Sequence, residues 1–194
     1  NIKFRENFMK KYNVVIVGAL GAVGNEFRKI LLQRKFPIDK IKFLDLTDVG
    51  SQVDFGDMKV TVEKPSDDSF KGYDIALFSA GADVSLQIAK QAAASGCIVI
   101  DNSSAWRMDP EVPLVVPEVN PDDVKWHKGI IANPNCSTIQ MLMAVAPLHR
   151  EYGIKRLVIS TYQSVTGTGV KAVTQLENER RGLGGEMAYT YPID

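Results

Sequence analysis

The chain has 194 residues, of which 45% are hydrophobic, and it carries 23 basic and 23 acidic side chains. This length and composition predict one large globular domain, or one domain and part of another. The balanced charge argues against nucleic acids and membrane surfaces as partners, and no apolar run approaches the roughly 20 residues of a membrane-spanning helix. The two cysteines, Cys97 and Cys136, indicate neither a disulfide framework nor a metal site, so we expect a reducing, cytoplasmic location.

After an expected extension over residues 1–8, the first predicted elements are a strand, a glycine-rich turn and a helix. Residues 13–17 are apolar and rich in valine, which is typical of a strand buried on both faces. The turn over residues 18–24 has three glycines, which allow backbone N–H groups at the helix start to approach a pyrophosphate. A tight turn without a ligand is the alternative. The cofactor contacts that this pattern predicts are Gly18 and Gly21.

The second predicted strand, residues 40–46, places acidic residues near this turn. Asp45 lies 21 residues after Gly24, close to the position where a carboxylate binds the 2′-hydroxyl of the adenosine ribose of NAD. No basic residue follows until Lys59, so an arginine for the 2′-phosphate of NADP is missing. Asp45 and Asp48 therefore favour NAD, although both would also be ordinary as solvated loop charges.

The next stretch continues the alternation of strands and helices. The predicted elements are an edge hairpin strand over residues 58–63, buried strands over 74–78 and 97–101, and a helix over 84–95. Ser79, Ala80 and Gly81 form a small-residue turn that suits a backbone lying against a flat cofactor. Arg107 follows the last of these strands, and its planar guanidinium suits a phosphate or a carboxylate. A plain surface charge is the alternative reading of Arg107.

A cysteine stands at the mouth of the next predicted helix. Residues 133–138 lie between a short apolar run, 129–132, and a helical pattern over 139–152. The unpaired N–H groups and positive dipole end of a helix start favour the thiolate, which is the nucleophilic form. Cys136 is therefore a candidate nucleophile, and the alternative is the small buried hydrophobe that most free cysteines are.

The last 40 residues of the chain begin with a predicted strand over residues 155–163 that ends at Gln163. A second glycine turn, with Thr166 and Gly167, then precedes a helix over 171–180. The tail over residues 181–194 has no recognisable closing element.

Taken together, these stretches resemble aspartate-semialdehyde dehydrogenases. The motifs that carry the resemblance, in family order, are residues 18–24, 78–81, 101–109, 115–120, 133–138 and 162–167. We therefore predict an α/β fold. A Rossmann-like, doubly wound parallel sheet occupies residues 9–132, and residues 133–194 hold the cysteine helix and the start of a second α/β domain for substrate binding and dimerisation.

The resemblance implies a reaction and the roles of particular residues. The reaction is the reversible, NADP-dependent reductive dephosphorylation of aspartyl-4-phosphate to aspartate 4-semialdehyde, towards lysine, diaminopimelate, threonine and methionine. By resemblance, Cys136 is the nucleophile that carries a thioester, Gln163 positions the substrate, and Arg107 and Asn135 bind phosphate. The resemblance implies in the same way a homodimer or homotetramer of the full-length protein. It also implies cofactor contacts at Leu20, Gly21, Ala22, Val23, Thr166 and Gly167.

The chain departs from the family pattern in two respects. The arginine–serine pair that holds the 2′-phosphate in the family falls here at Asp48 and Val49, so the resemblance implies NADP while the residues favour NAD. The family also supplies its general-base histidine and a carboxylate-binding arginine from a later part of the second domain. His127 and His149 do not match that motif. We therefore expect low or no turnover from these 194 residues.

Two other functions are compatible with the sequence. N-acetyl-γ-glutamyl-phosphate reductase shares the architecture and the cysteine chemistry, but it typically has a glycine and an aromatic residue around its cysteine, where this chain has Asn135 and Ser137. A non-catalytic nucleotide-binding remnant is the other alternative, and the missing histidine supports it. An adduct on Cys136 would separate the two enzymes from the remnant.

Overall fold

The computed structural model describes residues 10–194, so the predicted extension over residues 1–8 lies outside the described part. The chain divides into two compact units between Pro134 and Asn135. Within the described residues, none of the helices is both long and apolar enough to cross a membrane.

The first unit is built on a seven-stranded sheet. Its strands are β1 (Tyr12–Val17), β2 (Ile38–Leu44), β3 (Gln52–Phe55), β4 (Met58–Glu63), β5 (Ile75–Phe78), β6 (Ile98–Asp101) and β7 (Ile130–Ala132), and its α-helices are α1 (Ala22–Gln33) and α2 (Ala82–Ala94). The strand order is β3-β4-β2-β1-β5-β6-β7, and every pairing except β3 with β4 is parallel. The predicted Rossmann-like, doubly wound sheet is thus confirmed, with its switch point between β1 and β5.

Strand β1 explains why the sheet has a core on each face. Val15 and Val17 point to the side covered by α2, whereas Ile16 points to the side covered by Phe27 and Leu31 of α1. A central parallel strand is buried on both faces, and this is why its sequence is uniformly apolar rather than alternating. Each such side chain contributes about 1.5–3 kcal/mol when fully buried.

The prediction that residues 58–63 form an edge strand is wrong. β4 lies inside the sheet, because it pairs with β2 on one side and with β3 on the other. The edge strand is β3, which has only four residues and escaped prediction because Asp54 interrupts its apolar pattern. Asp54 pairs with Lys59 across the hairpin at 2.8 Å. A short edge with charged side chains is less prone to pair with a strand of another molecule.

The second unit contains α3 (Cys136–Tyr152), a short 3-10 turn (Val165–Thr168) and α4 (Val170–Arg180). The predicted strand over residues 155–163 is not formed. A strand needs a neighbour for its backbone N–H and C=O groups, and the described part of this unit contains no other strand to supply one. The side chains of Val158 and Tyr162 are consequently exposed to solvent.

A buried glutamine on α4 holds the C-terminal tail, residues 181–194, against the helix. From the sequence we expected this tail to have no such stabilising element. The Gln175 side chain is 2% exposed, and its Oε1 accepts hydrogen bonds from the amides of Ala188 and Tyr189 at 2.7 and 2.9 Å. Glu179 on the same helix accepts from the Ile193 amide at 2.7 Å. Hydrogen bonds from Gln175 and from the backbone keep the pKa of Glu179 below its ordinary value.

Replacing Gln175 by alanine is expected to release the tail from α4, because a buried amide acceptor for two backbone donors is removed. Hydrogen exchange of the Ala188 and Tyr189 amides should accelerate by at least about tenfold, while exchange in β1 should not change. Glu177→Ala, on the exposed face of the same helix, is the matched control. Unchanged exchange at both amides in the Gln175 variant would contradict this closing role.

Candidate active site

Two glycines of the turn between β1 and α1 are required by the packing of the chain itself. Gly18 has a φ of +79°, and a Cβ on it would lie 2.5 Å from the carbonyl oxygen of Ser79. A Cβ on Gly24 would overlap the carbonyl oxygen of Gly18. These glycines bring the start of α1 and the end of β5 against the end of β1, as in dinucleotide-binding turns.

Gly21 is different, because the chain leaves its Cβ position open. A Cβ there would meet only the Gly18 carbonyl oxygen, at an ordinary 3.5 Å. Gly21 is the N-cap of α1, no side chain caps this helix, and its first turn, beginning with Ala22 and Val23, contains no acidic residue. Free N–H groups at the positive end of a helix dipole make a site for an anion. The open space and the uncapped helix fit the pyrophosphate of a dinucleotide.

The turn after β5 offers a second uncapped helix start at the same edge of the sheet. Ser79 donates its N–H to the carbonyl of Val17 at 2.8 Å, so the ends of β5 and β1 are adjacent. Gly81, the N-cap of α2, has a φ of +90° with nothing within 4 Å of its Cβ position. The structure therefore places the predicted contacts Ser79, Ala80 and Gly81 beside the glycine turn, at the switch point of the sheet.

Asp45 braces the glycine turn, a role that the sequence did not reveal. Its Oδ2 accepts a hydrogen bond from the Leu20 N–H at 3.0 Å, and its Oδ1 accepts from the Leu46 N–H at 2.8 Å and from Thr47. Asp48 is exposed and adopts a left-handed backbone with a φ of +48°. Binding of a ribose by Asp45 stays a prediction. Of the two acidic residues at this end of β2, Asp48 is the one that is exposed to solvent.

Arg107 is held by the main chain rather than by an acid. Its Nε donates to the carbonyl oxygen of Asn133 and its Nη2 to that of Asn102, each at 3.0 Å. The side chains of these asparagines are joined to each other, with Asn133 Nδ2 donating to Asn102 Oδ1 at 2.8 Å. Sequence reasoning missed both asparagines as partners of Arg107, because the three residues meet only after β6 and β7 pair. Because both acceptors are neutral carbonyls, they do not neutralise the half-buried guanidinium. Its remaining N–H groups can bind an oxyanion.

In the second unit, Cys136 is the first residue of α3, three residues earlier than predicted for the helix. Asn135 is the N-cap, and its side-chain oxygen accepts a hydrogen bond from the Ser137 N–H at 3.0 Å. The Cys136 side chain is exposed, whereas Cys97 is buried. The reading of Cys136 as a small buried hydrophobe is therefore wrong, and it describes Cys97 instead.

Gln163 lies against the start of α3. Its Oε1 accepts a hydrogen bond from the Ser137 hydroxyl at 3.0 Å, and a Cβ on Gly167 would overlap its Nε2. Thr166 donates its hydroxyl to Ser164, which fixes the turn that contains Gly167. A cleft of about 350 Å³ at this point is lined by Asn135, Ser137, Thr138, Met141, Ile159, Thr161 and Gln163. The structure thus joins Gln163 and Gly167 to the cysteine helix through Ser137, which the sequence analysis did not select.

The two thiols are expected to differ sharply in reactivity. Burial raises the pKa of Cys97 to about 11, and its Sγ donates to the carbonyl oxygen of Tyr73 at 3.0 Å. At pH 8 only about one Cys97 in a thousand is then a thiolate. Iodoacetamide should therefore alkylate Cys136 alone in the native protein, and both cysteines in 8 M urea, as peptide mass spectrometry would reveal. Equal labelling of both cysteines under native conditions would contradict this.

Comparisons with known proteins agree with this geometry. Residues 13–127 match the family model described as "Semialdehyde dehydrogenase, NAD binding domain". An aspartate-semialdehyde dehydrogenase of Aquifex aeolicus is 53% identical over 174 residues, which cover 88% of this chain and 51% of that protein. The enzyme of that name from Bacillus subtilis is 48% identical, covering 88% of this chain and 50% of the relative.

The fold is also that of solved relatives. A crystal structure of aspartate semialdehyde dehydrogenase II from Vibrio cholerae, complexed with ASA, superposes with a TM-score of 0.88 and 39% identity over 95% of this chain and 57% of that one. This chain thus spans about half the length of the curated relatives that it matches. The matched domain, the glycine turn and the cysteine helix lead to one conclusion: the chain belongs to the semialdehyde dehydrogenase family.

Proposed function

We propose that this chain carries the cofactor half and the nucleophile of an aspartate-semialdehyde dehydrogenase. The observation that carries the proposal is the exposed Cys136 at the first position of α3, with Gln163 bonded to the same helix turn through Ser137. The names of the relatives from Aquifex aeolicus and Bacillus subtilis support this substrate class. They also rank N-acetyl-γ-glutamyl-phosphate reductase lower.

The proposed chemistry begins at the sulfur of Cys136. Its thiolate attacks the carbonyl carbon of the acyl phosphate, a C–S bond forms, and the C–O bond to phosphate breaks with its electron pair leaving on phosphate. The nicotinamide cofactor, when bound, supplies the hydride that reduces the acyl group to the aldehyde. The sulfur is then released as a thiolate. In the reverse direction, the free phosphate attacks the thioester.

The other residues stabilise and orient the reactants. Arg107 keeps its positive charge, and its planar fork can take two oxygens of a phosphate. The oxygen of the Asn135 side chain caps α3, which leaves its amide nitrogen to donate to the phosphate. Gln163 likewise uses its oxygen for Ser137 and keeps its amide nitrogen for the substrate. A substrate held in this way reacts as in an intramolecular reaction.

For the properties of a full-length protein, the proposal rests on the resemblance to the family. We propose a cytoplasmic homodimer or homotetramer that acts on small molecules and phosphate, in the route to lysine, diaminopimelate, threonine and methionine. The sequence resemblance to the family supports these points.

A single-turnover experiment tests the proposal. The protein is mixed with aspartate 4-semialdehyde and NADP⁺ or NAD⁺ without phosphate, so that a thioester accumulates on Cys136. Steady-state turnover is expected to be low without the family's histidine, but a single turnover needs only the Cys136 thiolate and the bound cofactor. We therefore expect a burst of reduced cofactor and an acylated Cys136 peptide, and added phosphate should remove the acyl group. If neither the burst nor the adduct is seen while the cofactor still binds, the non-catalytic nucleotide-binding alternative is favoured.

The choice of cofactor is proposed to depend on Asp48. Since this exposed carboxylate stands where the family has the arginine for the 2′-phosphate, NADH should bind more tightly than NADPH. Replacing Asp48 by arginine should raise the affinity for NADPH by about tenfold and leave that for NADH within about twofold. Asp39→Arg, at the opposite end of β2, is the control for net charge. Fluorescence titration measures both affinities, and tighter binding of NADPH by the unmodified chain would contradict the proposal.

A further inference from the structure

The setting of Arg107 is a closed ring of three hydrogen bonds among three residues. Arg107 donates to the main-chain carbonyls of Asn102 and Asn133, each at 3.0 Å, and the Asn133 amide donates to the Asn102 side-chain oxygen at 2.8 Å. The two carbonyls come from loops that are 31 residues apart in the chain. The bond between the side chains therefore links the two loops that carry the acceptors of the guanidinium.

The ring is anchored directly on the sheet. The Asn102 N–H donates to the carbonyl of Phe78 at 2.9 Å, which continues the pairing of β6 with β5 by one residue. The Asn133 N–H donates to the carbonyl of Asp101 at 2.8 Å, which does the same for β7 with β6. Both asparagines are thus held by regular backbone pairing, and their side chains close the gap between two strand ends.

The ring leaves the charge of Arg107 available. A guanidinium has five N–H donors, and the ring uses two of them. Within residues 10–194 no carboxylate forms an ion pair with Arg107, in contrast to Arg180, which pairs with Asp194 at 2.8 Å. Neutral carbonyls orient the cation without neutralising it. Such an arginine is preorganised for an oxyanion with two or more acceptor oxygens.

We propose that Asn102 and Asn133 are positioning residues for the phosphate site, an inference that rests on the proposed role of Arg107 in phosphate binding. Neither asparagine needs to contact the phosphate. Their side-chain hydrogen bond joins the two loops just beyond the paired strands, and so limits the movement of the two carbonyls that hold the guanidinium. Without that bond, the Arg107 side chain is less well fixed before phosphate binds. Fixing it then costs part of the binding free energy, so the affinity for phosphate falls.

The test uses the 194-residue chain and inorganic phosphate as the probe. Phosphate is titrated against the backbone amide NMR signals of residues 102–107, and hydrogen exchange is measured at the Arg107 Nε–H. In Asn102→Ala and in Asn133→Ala, the dissociation constant for phosphate should rise about threefold to tenfold, the equivalent of one hydrogen bond. Exchange at the Nε–H should accelerate in both variants.

Three further variants make the result decisive. Asn13→Ala removes a comparable amide hydrogen bond, to the carbonyl of Gly72 at 2.8 Å, near the start of β1 and should change neither quantity. Asn102→Asp keeps an acceptor for Asn133, so slow exchange at the Nε–H should be restored, although the added charge weakens phosphate binding.

Unchanged affinity in both alanine variants, together with a loss in Arg107→Ala, overturns the positioning role and leaves the phosphate site intact. Unchanged affinity in Arg107→Ala overturns both.

Discussion

Replacing Cys136 by alanine is expected to abolish acyl transfer, with a loss of at least about 10⁴-fold in the burst of reduced cofactor. The thiolate forms the bond that carries the acyl group, and an alanine offers no lone pair in its place. The fold should be unaffected, because the side chain is exposed and the cap of α3 is made by Asn135 and the Ser137 N–H. Stopped-flow absorbance of the reduced nicotinamide gives the burst, and circular dichroism checks the fold.

The matched control for this experiment is Cys136→Ser, which nearly keeps the size of the side chain and puts a hydroxyl in place of the thiol. It should also lose the burst, since a serine hydroxyl is a far weaker nucleophile than a thiolate without a base to activate it. Cofactor affinity should be unchanged in both variants because Cys136 lies outside the glycine turn. A burst of normal amplitude in the alanine variant would show that another group accepts the acyl chain.

Replacing Gly18 by alanine should lower the free energy of unfolding by about 2–5 kcal/mol. A left-handed backbone costs a non-glycine residue about 1–2 kcal/mol, and forcing a methyl group into a packed site adds about 1–3 kcal/mol. Both apply at Gly18, because its φ is +79° and its Cβ would lie 2.5 Å from the Ser79 carbonyl oxygen. Urea denaturation followed by tryptophan fluorescence measures the change.

Gly72→Ala separates the two contributions. Gly72 has a φ of +76°, almost the same as that of Gly18, but nothing lies within 4 Å of its Cβ position. This variant should therefore lose only the conformational part, about 1–2 kcal/mol. Equal losses in the two variants would mean that the contact between Gly18 and Ser79 relaxes at no energetic expense.

The elements that the sequence predicted well are those with a local signature. The apolar run of β1 and the glycines that follow it each act within a few residues, so composition and spacing are enough. β3 escaped because four residues with a central aspartate carry almost no periodic signal. The strand predicted over residues 155–163 has a good apolar pattern, but a pattern does not supply the neighbouring strand that it needs.

The missed parts of the candidate site are those that depend on distant pairing. Asp45 reaches Leu20, 25 residues away, and Asn133 reaches Asn102, 31 residues away. The position of Asp45 after the glycine turn predicts only a ribose ligand, and nothing near Asn102 or Asn133 distinguishes them from ordinary loop asparagines. The tail is similar, because Gln175 resembles any helix-surface glutamine until the backbone of residues 188 and 189 folds onto it.

The hydrogen bond from the Leu20 N–H to Asp45 limits which substitutions can change the cofactor preference, both in engineering and in evolution. A substitution at position 45 intended to alter cofactor preference would also remove the acceptor of the Leu20 N–H, and so loosen the turn on which any dinucleotide must sit. Three residues later, Asp48 can vary without touching that turn. Divergence between NAD and NADP use within this architecture is therefore expected to accumulate at position 48, while position 45 is constrained by folding even in a protein that has exchanged one cofactor for the other.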